Sequence, residues 1–197
     1  MRAMRSFTLL PAAALMAGGL CFHSATHAAA SAATSPADIV TGAWQHHKLT
    51  FEYYGITTLY NCDGLQTRVR QLLLHLGARK DATVNTGGCP GGPDTPSHFA
   101  WVDVDFYSLA PVAEGAGTET VKAQWGPLKV TPQLPSFMGD GDCELIQSMK
   151  DVIIKNFSLR DLEYRTDCFP HEIWLNGFAV KGQALRALPQ DPSAVKS

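Results

Sequence analysis

Signatures of the common catalytic and cofactor chemistries are missing from this chain. It has no Cys-x-x-Cys redox pair, no Gly-x-Ser-x-Gly nucleophile elbow and no Walker-type phosphate loop. The histidines His46, His47, His75, His98 and His171 include no pair at His-x-x-x-His spacing, and no Cys/His cluster has zinc spacing. No motif calls for a cofactor or a metal. An excess of positive charge is also lacking: 16 Lys and Arg face 18 Asp and Glu, which removes the footprint of a nucleic-acid binder. With 17 Gly and 12 Pro the chain is too poor in both for a collagen-like or low-complexity protein. At 45% hydrophobic and 17% charged residues it is too apolar for general disorder. No apolar run reaches the roughly 20 residues of a bilayer span. What these absences leave, at 197 residues, is one moderately sized folded domain.

The first residues read as an export signal. Arg2 and Arg5 form a basic start, Phe7 to Phe22 is apolar or small, and small residues follow with cleavage sites after Ala28 or Ala30. Pro11, Gly18 and Gly19 interrupt the apolar stretch, which argues against a membrane anchor. A lipid anchor on Cys21 is disfavoured because Leu20 stands directly before it, whereas lipoprotein processing wants the Leu three residues earlier. Cys21 is therefore discarded with the signal. The expectation is a periplasmic or secreted protein with a signal peptide at 1–28, a flexible lead-in at 29–43, one domain at 44–188 and a tail at 189–197. No stable membrane insertion is expected after cleavage. Loss of the signal leaves 14 Lys and Arg against 18 Asp and Glu, a net charge of −4 that mainly serves solubility.

Four cysteines remain, and an even count in an exported chain reads as two disulfides. Cys62 lies 81 residues before Cys143, and Cys89 lies 79 before Cys168. Two pairs at nearly one offset suggest an internal duplication. Leu65, Leu72, Leu73 and Leu76 fall where Ile146, Ile153, Ile154 and Phe157 fall, with Val69 against Lys150 breaking the register. The predicted pseudo-repeats span about 44–110 and 118–188. A helix from Cys62 to Gly77 rises roughly 22 Å, and a strand from Ala82 to Gly88 returns roughly 23 Å. Run antiparallel, they bring Cys89 back beside Cys62, and the same holds for Cys143 and Cys168. The predicted bridges are Cys62–Cys89 and Cys143–Cys168, read as structural staples and not as redox pairs.

Lys48 to Tyr54 alternates as a half-buried strand, with Leu49, Phe51 and Tyr53 on one face. A helix at about 63–76 and a strand at about 81–87 follow. The Gly87-Gly88-Cys89-Pro90-Gly91-Gly92-Pro93 turn leads to a strand from His98 to Leu109, with Val102, Val104 and Phe106 inward. A tip at Glu114-Gly115-Ala116-Gly117 turns the chain into a strand at Thr120–Val130. A Pro/Gly-rich loop, a helix at about 143–156 and strands at about 160–167 and 177–187 complete it. The predicted fold is α+β: two disulfide-stapled βαββ repeats forming an antiparallel or mixed sheet with two helices on one face. A parallel doubly wound pattern is absent, which excludes a dinucleotide-binding fold.

The candidate binding face is the row Trp101, Asp103, Asp105 and Tyr107, which shares one side of its strand at period two. Two carboxylates about 7 Å apart suit acid–base work or a hard cation. The plain reading is a solvated face with Lys122 or another cation opposite. His46 and His47 are adjacent, so on a strand they point to opposite faces. His75, His98 and His171 stand alone as surface or loop histidines. Arg68, Arg70 and Arg79 surround the first helix as a solvated polar face. No catalytic residue is assigned.

The run Tyr53-Tyr54-Gly55-Ile56-Thr57-Thr58-Leu59-Tyr60-Asn61-Cys62-Asp63-Gly64-Leu65, with Leu72-Leu73-Leu74 and Leu76-Gly77-Ala78-Arg79, resembles a group of small exported proteobacterial proteins of unknown function. The resemblance spans about residues 48–170. It implies a bacterial envelope location and supplies no activity. The expected role is a non-enzymatic module that binds an envelope protein or a small-molecule ligand. The alternative is a small hydrolase or metal-dependent enzyme using the Asp103/Asp105 face.

Overall fold

The computed structural model describes residues 39–112 and 119–189. The expected signal peptide, most of the lead-in, the Glu114–Gly117 tip and nearly all of the tail lie outside the described residues. The elements run β1 (Ile39–Tyr54), α1 (Cys62–Leu76), β2 (Thr83–Gly88), β3 (Phe99–Pro111), β4 (Thr120–Val130), α2 (Cys143–Ser148), α3 (Lys150–Asn156), β5 (Leu159–Asp167) and β6 (Gly177–Ala187). The six strands form one antiparallel sheet in the order β2-β3-β1-β4-β6-β5. This is an α+β fold.

Strand β1 starts at Ile39, ahead of the expected start near Trp44. Ile39 to Ala43 pair with Gln124 to Thr120 of β4, and this short ladder joins the two halves of the sheet. From Gly42 onward β1 pairs with β3, and from Ala123 onward β4 pairs with β6.

Helix α1 is specified locally at both ends. The Asn61 side chain accepts a 2.8 Å hydrogen bond from the Gly64 N–H, one of the orphan donors at a helix start. Gly77 ends the helix at φ 106°, a left-handed conformation that favours glycine. Between these caps Leu65, Val69, Leu72, Leu73 and Leu76 form a fully buried stripe.

The second helical stretch departs from the expected single helix. It breaks at Met149 into α2 and α3. Ile146, Ile153 and Phe157 are buried as the spacing predicts, but Ile154 is 44% exposed. A helix in strict register with α1 would carry Lys150 to the place of Val69. The break instead turns fully buried Met149 inward and leaves Lys150 in solvent, its Nζ 5.7 Å from the Tyr164 ring. Avoiding a buried, unpaired ammonium outweighs the continuity of one helix.

All three helices pack into one core against one face of the sheet, on Phe51, Tyr53, Val84, Val102, Val104 and Phe106 among others. A smaller cluster of Leu109, Ala123, Trp125 and Leu185 covers the opposite face near the β1–β4 junction. The disulfides are Cys62–Cys89 and Cys143–Cys168, with Cα separations of 5.9 and 5.7 Å. Each ties the start of a helix to the end of the strand that follows it.

Candidate functional site

The residues Trp101, Asp103, Asp105 and Tyr107 share the sheet face turned away from the helices, because their neighbours Val102, Val104 and Phe106 are buried beneath α1. The β1 register sets Glu52 opposite Trp101, Thr50 opposite Asp103, Lys48 opposite Asp105 and His46 opposite Tyr107. Lys122 is not opposite this row: it pairs with Thr41 at the β1–β4 junction, and Lys48 is the cation across from the carboxylates.

Polar contacts follow this register. Thr50 Oγ1 donates to Asp103 Oδ1 at 2.7 Å, and His46 Nε2–H donates to Asp105 Oδ1 at 2.7 Å. The His46 ring stacks on Tyr107, whose other neighbour is the Arg79 guanidinium 3.7 Å from the ring centroid. At the far end Tyr54, Phe99 and Trp101 form an aromatic ladder, with centroids 4.4 and 5.3 Å apart. Trp101 lies flat on Gly88, where an added Cβ would sit 2.1 Å from its ring. The face is a shallow strip of aromatic and paired polar groups on an open sheet. The candidate row borders none of the three best-formed concavities. Among the described residues no three His, Cys, Asp or Glu side chains are grouped to hold a metal ion.

The other expected site residues are dispersed. His47 does point away from His46, but it is half-buried and not a surface histidine. Its Nε2 lies 2.9 Å from Ser108 Oγ, and burial lowers its pKa, with His46 adding to the shift. The pair is not a nucleophilic dyad. The Ser108 hydroxyl donates its single proton to the Asn156 carbonyl at 2.5 Å, so His47 Nε2–H must donate to Oγ. His75 is likewise half-buried, bonding the Lys129 carbonyl, with its pKa lowered by burial. His98 Nδ1–H donates to the Gly55 carbonyl at 2.7 Å, and His171 is exposed at φ 64°.

The arginines are not a uniform solvated face. Arg68 Nε lies 3.3 Å from the buried Asp142, and Arg70 donates to the Ala82 and Lys80 carbonyls. Arg79 forms a bidentate pair with Asp81, whose hydrogen bonds hold the Asp81 carboxyl below the usual carboxylate range.

Two acidic residues that the sequence did not single out prove central to the fold. Glu144, in the first turn of α2, is buried and accepts from the backbone N–H groups of Ile56, Thr57 and Thr58 at 3.0–3.1 Å. Tyr53 OH donates to the Thr58 carbonyl at 2.7 Å and lies 3.5 Å from the same carboxylate. Asp142 accepts from Tyr60 OH and, at 2.8 Å, from Gly139 N–H. Burial, then the adjacent carboxylates, pushes the Tyr53 and Tyr60 pKa values well above the ordinary tyrosine range, so both remain protonated donors. A second overlooked feature is a pair of matching cation–π contacts. Arg79 lies 5.7 Å from the Trp44 ring and Arg160 lies 3.8 Å from the Trp125 ring. The sequence signal was present, since Trp44 to Trp125 and Arg79 to Arg160 both span the 81 residues that separate Cys62 from Cys143.

The fold and this face define a disulfide-stapled α+β protein with an open six-stranded sheet. The chain matches no family model, no curated protein and no solved structure. The disulfides point to an oxidising compartment. No helix among the described residues is long and apolar enough to cross a membrane.

Proposed function

We propose that this protein is exported through a cleavable signal at 1–28 and works as a binding module of the cell envelope, built from two copies of a βαββ unit. Four features support the duplication. The strand order β2-β3-β1-β4-β6-β5 is unchanged when β1, β2 and β3 are exchanged with β4, β5 and β6. Thr41 pairs with Lys122, its own counterpart at the 81-residue offset, as a two-fold axis through the β1–β4 ladder requires. The two staples occupy equivalent places in their units. The Trp44–Arg79 and Trp125–Arg160 pairs also correspond at that offset.

The observation that carries the binding reading is the open outer face. It offers an aromatic ladder of Tyr54, Phe99 and Trp101 beside Asp103 and Asp105, with their partners preset by the β1–β3 register and no cleft to enclose a reacting group. Such a face suits a protein surface or an extended ligand. The test is co-isolation of the wild-type protein and a Tyr54→Ala/Trp101→Ala variant from envelope extracts, with a hydrolase substrate panel in parallel. A partner retained by the wild type and lost with the variant supports the reading, as does a silent panel.

One observation favours the enzymatic alternative: His46 is bonded to Asp105 beside Asp103, an arrangement able to move a proton. Turnover abolished by Asp103→Ala would establish that alternative and overturn the binding role.

A further inference from the structure

A second surface, separate from the aspartate row, has the makings of a ligand site. Beside the C-terminal end of α1 lies a groove of about 630 Å³ with Trp44 and Leu74 among its walls. Four cations line it: Arg70, Arg79, Lys80 and Arg186. Arg79 is neutralised by Asp81. Arg70 spends two donors on backbone carbonyls, and Arg186 gives one to the His75 carbonyl at 2.8 Å. Among the described residues neither Arg70, Lys80 nor Arg186 has an acidic partner. The Nε of Arg186 is buried with no hydrogen-bond partner.

A helix C-terminus gains from one nearby cation. Three uncompensated cations around an apolar wall exceed that need, in a chain whose acidic residues outnumber its basic ones. We propose that this groove binds a small anionic amphiphile, its hydrocarbon part on Trp44 and Leu74 and its carboxylate or phosphate head between Arg70, Lys80 and Arg186. The guanidinium forks suit a planar or tetrahedral oxyanion. The apolar surround strengthens each charge beyond its worth in water.

Titration of the disulfide-bonded protein with dodecanoate or dodecyl phosphate, followed residue by residue by amide NMR, tests this. Dodecyltrimethylammonium and inorganic phosphate serve as chain-only and head-only controls. The expected result is saturable 1:1 binding with shifts centred on Gly77, Ala78, Lys80 and Ala187, and much weaker binding of both controls. The tighter of the two anions identifies the head group. Lys80→Glu should bind about tenfold more weakly with an unchanged Tm. Arg186→Gln should also bind more weakly, with a lower Tm because it uncaps α1. The proposal is overturned if the cationic chain or free phosphate binds as well as the amphiphile. Shifts centred on Phe169–Leu175, or a Lys80→Glu variant that binds like the wild type, overturn it equally.

Discussion

Replacing Glu144 tests how the two halves of the molecule are held together. This residue opens α2, yet its carboxylate is closed off by the loop that joins β1 to α1. Three consecutive N–H groups, from Ile56 to Thr58, converge on it at 3.0–3.1 Å. Truncation to Ala removes the acceptor and leaves those donors facing a void. An orphaned buried donor costs about 1–3 kcal/mol, but water entering the vacated space re-satisfies some of them. The expected net loss for Glu144→Ala is therefore about 2–4 kcal/mol, or roughly 5–15 °C in Tm for a domain of this size. Glu144→Gln keeps the shape but turns an NH2 group towards one of the donors, so its loss should be about half as large. Urea unfolding of the oxidised protein, with m-values compared to exclude altered denatured states, measures both. Losses below about 0.5 kcal/mol in both variants would refute the reasoning, since they would make the carboxylate an ordinary solvated group.

The other predictions concern the staples, the buried histidines and the aromatic ladder. The bridges close loops of 27 and 25 residues, so a Cys143→Ala/Cys168→Ala variant should lose about 3.5 kcal/mol in the chain-entropy treatment; an unchanged denaturation midpoint would contradict this. Burial lowers His47 and His75 below their ordinary 6.5, so just below that pH the native state binds fewer protons than the unfolded chain. Their contribution is then complete above 6.5 and lost as pH falls through the lowered folded values. Unfolding midpoints should accordingly drop between about pH 7 and about pH 5, and His47→Gln should flatten that slope; an equal slope in the variant would exclude His47 as a source. Gly88→Ala places a Cβ 2.1 Å from the Trp101 ring, so it should displace that ring and alter near-UV dichroism with little loss of helix. Unchanged aromatic signals would argue against the close packing.

Much of the fold was legible because its signals are local. Alternation at Leu49, Phe51 and Tyr53 and at Val102, Val104 and Phe106 identified two strands and their buried faces. Asn61 and Gly77 bracket α1 with recognisable caps, and matched helix and strand lengths led to the pairing of Cys62 with Cys89. The helix break at Met149 was less accessible, because the contest between Lys150 and Met149 for one inward position is decided by the sheet beneath them. Glu144 reads locally as a helix-start acid complementing the dipole, and nothing near it announces the loop 88 residues earlier whose N–H groups it receives. The aspartate row was placed on the correct face, but its partners follow from the β1–β3 register. That register sets Lys48, Thr50 and His46 across from it and removes Lys122. The Trp44–Arg79 and Trp125–Arg160 correspondence was open to inspection at the 81-residue offset, but an alignment confined to the helices passes over it.

The central claim, an exported protein with one staple in each half, is tested most directly by non-reducing peptide mapping. The protein should be expressed in a bacterial host with its own first 28 residues and recovered from the export compartment. The account predicts a new N-terminus after Ala28 or Ala30, no free thiol, and linkage of the Cys62 peptide to the Cys89 peptide and of Cys143 to Cys168. An unprocessed chain with free thiols, or a Cys62–Cys143 linkage, would contradict it.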